Sequence, residues 1–185
     1  MGIDTIKQRI LEEVDPELRA KKRRQNIKNY LIVTAQFLFL IGLIIVLFYI
    51  MMGLSTVDGN SMYPTLHDKD VVVYERKVDD YRVGDVVVFT TAEGEEFVKR
   101  VVAVAGDTVN IQNGTVYVNG EEQVLNGPVG DTKRMDMSVE NPYIVGDNEV
   151  YVLGDNRVNS EDSRMFGAVN IDHIKGRLVW YMGKL

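Results

Sequence analysis

At 185 residues the chain has room for one folded domain and one anchoring segment, and its lack of cysteine excludes disulfides, thiolate zinc sites and a cysteine nucleophile. Two histidines, His67 and His173, argue against a multi-histidine metal site and leave any histidine-based triad two candidates. The net charge of −6 is divided unevenly, +3 over residues 1–52 and −9 over residues 53–185; so acidic a second part lacks the basic footprint that supplies most nucleic-acid affinity.

In chain order, residues 1–29 read as a short amphipathic helix (Ile3, Ile6, Ile10, Leu11, Val14) broken near Pro16. It carries no visible chemistry, and is expected to lie at the inner membrane surface or to do nothing specific. Residues 30–52, Tyr30 to Met52, are 23 residues without a charge, with Gln36 the only strongly polar side chain. At 1.5 Å per residue, a helix of that length crosses a hydrocarbon core of about 30 Å. A cleaved signal sequence has a shorter apolar region and a small-x-small site, which is not found just beyond Met52. A buried core helix is the plainer alternative. Lys21, Lys22, Arg23, Arg24 and Lys28 precede the span, while only Lys69 falls in the twenty residues after it. Positive charge stays inside, so the N-terminus is expected in the cytoplasm and residues 53–185 outside, on a single-pass cell-membrane protein.

Beyond the span the pattern turns extended. Candidate strands are Asp70–Glu75, Asp85–Thr90, Glu96–Ala105, Thr108–Gln112, Thr115–Val118, Glu149–Leu153 and Gly176–Met182, all rich in Val, Tyr, Phe and Ile. Asn113-Gly114 marks a two-residue hairpin, and Asn119-Gly120 another turn. Strands do not alternate with helices, so the fold class expected is mainly β, an antiparallel domain, with one short helix within 163–175. The polar, turn-rich stretch 120–148 reads as a variable excursion without a stated function.

Chemistry concentrates in three places. Val57-Asp58-Gly59-Asn60-Ser61-Met62-Tyr63-Pro64-Thr65-Leu66 puts a serine in a loop stiffened by Pro64, with Gly59 permitting close approach of another backbone. Taken alone, such a serine is usually a turn residue. A serine hydroxyl needs a base to be a useful nucleophile. His67 and His173 have nothing around them that marks a base. A lysine serves if burial lowers its pKa from near 10.4. Lys99 lies in an otherwise apolar strand, sharing a face with Phe97, Val101, Ala103 and Ala105, while Arg100 points the other way with Val98, Val102 and Val104. The alternative is an edge-strand lysine that blocks edge pairing. Finally, Gly154 to Gly167 is a polar run after an apolar strand. In a functional reading Ser160 bonds the lysine amine, and Asp162 and Arg164 form a bracing ion pair. Calcium on Asp155, Asn156, Asn159, Glu161 and Asp162 is the metal alternative, although the spacing does not fit a twelve-residue calcium loop.

Together these segments resemble the boxes of the type I signal peptidases. Ser61-Met62-Tyr63-Pro64-Thr65-Leu66 resembles the nucleophile box, Gly84 to Phe89 the strand box, Val98 to Asp107 the lysine box and Gly154 to Arg164 the last box. Order and the preceding span match as well, from residue 30 to the end. The resemblance implies a Ser–Lys dyad on an antiparallel β fold, with no cofactor and no metal: Ser61 attacks, and Lys99 takes its proton and returns one to the leaving amine. It also implies that Ser160 orients the lysine, that Asp155, Asp162 and Arg164 give support, and that the Ser61 N–H is one oxyanion donor. Gly59 stands where some members carry a serine that gives the second, so a backbone N–H there or a water is expected. Val158 is a further departure from the family pattern. The substrates implied are exported preproteins with small residues one and three positions before the cut.

Ser61 is nine residues past Met52, which keeps it within roughly 30 Å of the span even when extended. Met62, Leu54 and Val57 are therefore candidates to touch lipid, or plain core residues. A dedicated processing peptidase of the same family, one that assists surface-fibre assembly, and a catalytically idle membrane-tethered binding module are the competing functions. A self-cleaving repressor with a similar dyad lacks room in residues 1–29 for a DNA-binding module.

Overall fold

Asp15 opens the first element. Its carboxylate accepts the Glu17 N–H at 2.9 Å, and its carbonyl accepts the Arg19 N–H, as a helix N-cap does. Pro16 is then the first residue of helix α1, Pro16–Met51, where its missing N–H costs nothing. The structure is a computed structural model that describes residues 15–76, 78, 80–135 and 139–183. The amphipathic pattern through Val14 lies outside the described residues. Asp15 is non-helical and Pro16 begins a helix that runs without interruption through the basic stretch and the apolar span, in keeping with a break near Pro16. None of its residues is buried, and it is long and apolar enough to cross a membrane. At 1.5 Å per residue its 36 residues extend about 54 Å.

The chain divides between Phe48 and Tyr49 into two units. The second is antiparallel β throughout its ladders. One sheet has seven strands in the order β1-β2-β11-β3-β4-β9-β10, the other four in the order β7-β6-β5-β8. The seven-stranded sheet uses β1 (Met52–Thr56), β2 (Val71–Glu75), β3 (Val86–Thr90), β4 (Glu96–Val104), β9 (Glu149–Leu153), β10 (Val169–Asn170) and β11 (Ile174–Met182). The smaller sheet uses β5 (Thr108–Gln112), β6 (Thr115–Val118), β7 (Glu121–Glu122) and β8 (Tyr143–Ile144). Asn113 and Gly114 both have positive φ between Gln112 and Thr115, as a type I′ hairpin requires, and Asn119-Gly120 repeats the device between β6 and β7. All seven strands expected from the sequence are present within two residues. Strand β1 was hidden because the apolar span runs straight into it; β7, β8 and β10 are two residues each, too short for a periodicity to register. Residues 163–175 hold a four-residue helix α2, Ser163–Phe166, and a 3-10 turn, Ile171–His173.

Strand β4 positions the site. It pairs with β3 on one side and β9 on the other, so Lys99 lies on an interior strand and the edge-guard alternative falls. Opposite β9 the register shifts between Val101 and Ala103, a bulge with Val102 as the extra residue. Lys99 shares its face with Phe97 and Val101 as alternation requires, but Ala103 turns with Val102 into the core under the small sheet, and Val104 returns to the Val101 side. Ala105 is an exposed turn residue. The expected alternation beyond Val101 is thus overturned by one inserted residue.

Candidate active site

Strand β1 delivers the chain into a loop closed at its base, where the Val57 N–H donates to the Asp70 carbonyl and the Lys69 N–H to the Val57 carbonyl, at 2.8 and 2.7 Å. Met62 and Leu66 are fully buried against Val86, Val88 and Val98, and Val57 joins the same cluster. Of the three residues weighed for lipid contact, Met62 and Val57 are therefore core, while Leu54 is 68% exposed. Between these anchors stands Ser61. Its carbonyl accepts the Asn156 N–H at 2.9 Å, and the Asn60 carbonyl accepts Asn156 Nδ2 at 3.1 Å, which holds the serine loop against the 154–164 loop.

Lys99 sits opposite Val87 on β3 and is only 3% exposed. Its Nζ lies 2.8 Å from Ser61 Oγ, within hydrogen-bond range, and 4.8 Å from the centre of the Phe97 ring. Burial disfavours the ammonium form and brings the amine down to about 8, against the upward pull of Asp162 and Glu161. The aromatic face also favours the cation, by about 2 kcal/mol for a desolvated pair. Desolvation wins. At a pH above that value the amine is neutral, and the same 2.8 Å lets the serine hydroxyl donate to it. The Ser61 N–H has no hydrogen-bond partner among the described residues. A cleft of about 280 Å³ opens over the pair, walled by Val57 to Asn60 on one side and Glu96 to Val98 on the other.

The third loop is built on two buried carboxylates. Asp162 takes Arg164 Nε at 2.7 Å and Nη2 at 2.8 Å, a bidentate pair, and also accepts the Gly154 N–H at 3.0 Å and the Arg164 N–H, which caps α2. Asp155 pairs in the same bidentate way with Arg100, at 2.8 and 2.7 Å, and accepts the Thr65 hydroxyl. Both carboxylates are thus engaged by arginines rather than turned together as the calcium alternative needs. The expected Asp162–Arg164 pair is present.

Two expectations are corrected. Ser160 is 5% exposed, but its Oγ makes no hydrogen bond, so the bond to the Lys99 amine is not formed. It packs on Gly154, where an added Cβ would collide with Ser160 Oγ and stand 2.6 Å from the Ser61 carbonyl oxygen. Gly59 is not there for close approach: nothing lies within 4 Å of a Cβ built on it, and what it supplies is φ = +84°. Its N–H donates to Asp68 Oδ1 at 2.7 Å and is not free for an oxyanion. His67 is exposed, between Tyr63 and Asp70, and His173 lies in the 3-10 turn; neither bonds Ser61. Sequence reasoning passed over Arg100, Thr65 and Arg157. A guanidinium in an apolar strand, next to the base candidate, was the available signal for Arg100; the other two are visible only in three dimensions.

A serine hydroxyl bonded to a desolvated lysine amine, beside a backbone N–H without a partner among the described residues, is the equipment that a Ser/Lys hydrolase needs. Residues 29–182 match the family described as signal peptidase, peptidase S26. The chain belongs to that family. It is 36% identical over 158 residues to a signal peptidase IB of Staphylococcus aureus, covering 76% of this chain and 80% of that one. With a signal peptidase I of Bacillus amyloliquefaciens it shares 37% identity over 117 residues, 58% of this chain and 63% of the other. A crystal structure of a signal peptidase I from Enterococcus faecalis V583 aligns at TM-score 0.46 and 25% identity, over 56% of this chain and all of that one.

Proposed function

We propose that this chain is a membrane-anchored signal peptidase in which Ser61 is the nucleophile and Lys99 its general base. The observation that carries the reading is the 2.8 Å approach of a buried amine to the Ser61 hydroxyl. Neutral Lys99 takes the hydroxyl proton as Oγ bonds to the scissile carbonyl carbon. Charge develops on the carbonyl oxygen, and the Ser61 N–H is the donor assigned to it. Collapse breaks the C–N bond, with Lys99 returning the proton to the leaving amine. A water, deprotonated by the same lysine, then attacks the ester carbonyl carbon; the C–Oγ bond breaks as Lys99 hands that proton to Ser61 Oγ, which frees the enzyme. The second oxyanion donor is a water or another backbone N–H, since Gly59 is spent on Asp68. Ser160, Asp155, Asp162 and Arg164 keep supporting roles, Ser160 by packing beneath Ser61 and the others by holding the loop.

The substrates are preprotein signal peptides with small residues one and three positions before the cut, bound in the cleft over Ser61 and Lys99. The basic run before the apolar span favours a cytoplasmic N-terminus, a single pass and a catalytic domain on the outer side. The test is to incubate purified protein with a preprotein and sequence the new N-terminus, for the wild type, Ser61→Ala and Lys99→Ala. Cleavage after a small residue that both variants abolish supports the reading. Activity surviving in Lys99→Ala refutes it.

A further inference from the structure

Ser61, Lys99 and the 154–164 loop come from three separate segments, and one buried ionic knot ties the three together. Arg100, adjacent to Lys99, clasps Asp155 with two nitrogens, and Thr65, four residues after Ser61, donates to the same carboxylate. Arg100 Nη1 also donates to the Gly84 carbonyl at 2.8 Å, fixing the guanidinium from behind. The excursion sits directly on this knot. A Cβ at Gly127 would stand 2.8 Å from Thr65 Oγ1 and 3.2 Å from both Arg100 Nη2 and Asp155 Oδ2, and φ there is +118°. Residues just after Gly127 are clipped to the same loop. The Val129 N–H donates to the Asp155 carbonyl at 2.8 Å, and the Arg157 N–H to the Val129 carbonyl at 3.0 Å. Arg157 Nη1 reaches Thr132 Oγ1 at 2.8 Å, and Arg164 Nη1 the Lys133 carbonyl at 3.2 Å.

We infer that Gly127, Val129, Thr132 and Lys133 form a positioning clamp for the reaction, with Gly127 seated on the Arg100–Asp155–Thr65 knot so that the segments bearing Ser61 and Lys99 keep their separation. This rests on the Ser61–Lys99 reading. The clamp touches neither reacting group; it acts through the knot and through the 154–164 loop that carries Asp155. Only a glycine brings backbone that close to three polar atoms at a positive φ.

Gly130 supplies the control. It has the same kind of backbone, φ = +85°, but its nearest neighbour is a Val158 side-chain carbon at 3.1 Å, away from the knot. Gly127→Ala and Gly130→Ala therefore share the backbone strain and differ in what the methyl strikes. Gly127→Ala is expected to lower kcat by about ten-fold or more with KM nearly unchanged, because sub-ångström misplacement of a reacting pair is costly. Its alkaline-going activity limb should also move upward, toward an ordinary lysine, as the loosened amine becomes hydrated. Gly130→Ala should stay within about two-fold of wild type and keep the limb. Equal losses in the two variants, or a Gly127→Ala enzyme with wild-type kcat and limb, overturn the clamp. If Gly127→Ala does not fold, Thr132→Val is read instead: a fall in kcat with a moved limb upholds the inference, and an unchanged profile overturns it. Ser61→Ala and Lys99→Ala run alongside; activity in either removes the Ser/Lys reading itself, a failure distinct from one confined to position 127.

Discussion

Lys99 is less stable in the native state than an apolar residue of its size, for the same reason that it is useful. Its folded pKa of about 8 lies below the unfolded value of about 10.4. Below pH 8 both states are protonated, and the native state bears the full desolvation cost. Between the two values the unfolded chain binds more protons, so stability rises with pH through that window. Lys99→Met should therefore melt higher than wild type at pH 7, by an amount equivalent to about a few kcal/mol, and the gain should shrink as pH climbs toward about 10.4. Melting curves at pH 7 and pH 10 check this; a variant that melts lower at pH 7 means the amine is not desolvated. On the proposed Ser61–Lys99 dyad the same titration governs rate. Activity as kcat/KM should climb with pH and level off above about 8, because only the neutral amine accepts the serine proton. A limb near 6.5 would point to histidine instead.

Among the elements, the 154–164 loop depends on its arginines far more than the surface does. Arg164→Ala would leave the Asp162 carboxylate, which has no solvent access, with only backbone donors, and should cost about 3–5 kcal/mol. The Arg82–Asp80 contact is exposed on both sides, and Arg82→Ala should cost under about 0.5 kcal/mol. Urea unfolding of the two variants gives the comparison; equal costs would remove the loop's claim to a special brace. Legibility divided along the same line. Strands such as β3 and β5 announced themselves through runs of Val, Phe and Ile, and their turns through Asn-Gly, because those signals are local. The serine, the lysine and the Asp162–Arg164 pair were readable too, the pair because its members are two residues apart. The partner of Asp155 was not, since Arg100 is 55 positions away and chosen by packing. Nor was the bulge at Val102, which no composition rule marks. The excursion looked featureless because its contacts to the site loops run through one glycine, backbone groups and a single threonine hydroxyl.

At the scale of the whole chain, the division between Phe48 and Tyr49 suggests where to cut. A chain starting at Tyr49 retains β1 and the Met51 carbonyl that accepts the Arg76 N–H. It should cleave a short soluble peptide with kcat/KM within about three-fold of the full chain, since the reacting groups are all kept. On a preprotein embedded in vesicles it should be slower by about ten-fold or more, because the anchor's contribution is effective concentration in the plane of the membrane. Equal rates on vesicles would mean that the helix delivers nothing to catalysis.

The extra residue at Val102 has a consequence for how this architecture can diverge. Up to Val101 the side chains alternate about the lysine, Val102 and Ala103 both face the small sheet, and alternation resumes at Val104, so the strand contains a natural seam. Lineages can lengthen, shorten or re-pair the hairpins downstream while the upstream half keeps its phase. Removing Val102 itself would restore one uninterrupted pleat with Ala103 still facing inward, at the cost of one valine from the core under the small sheet.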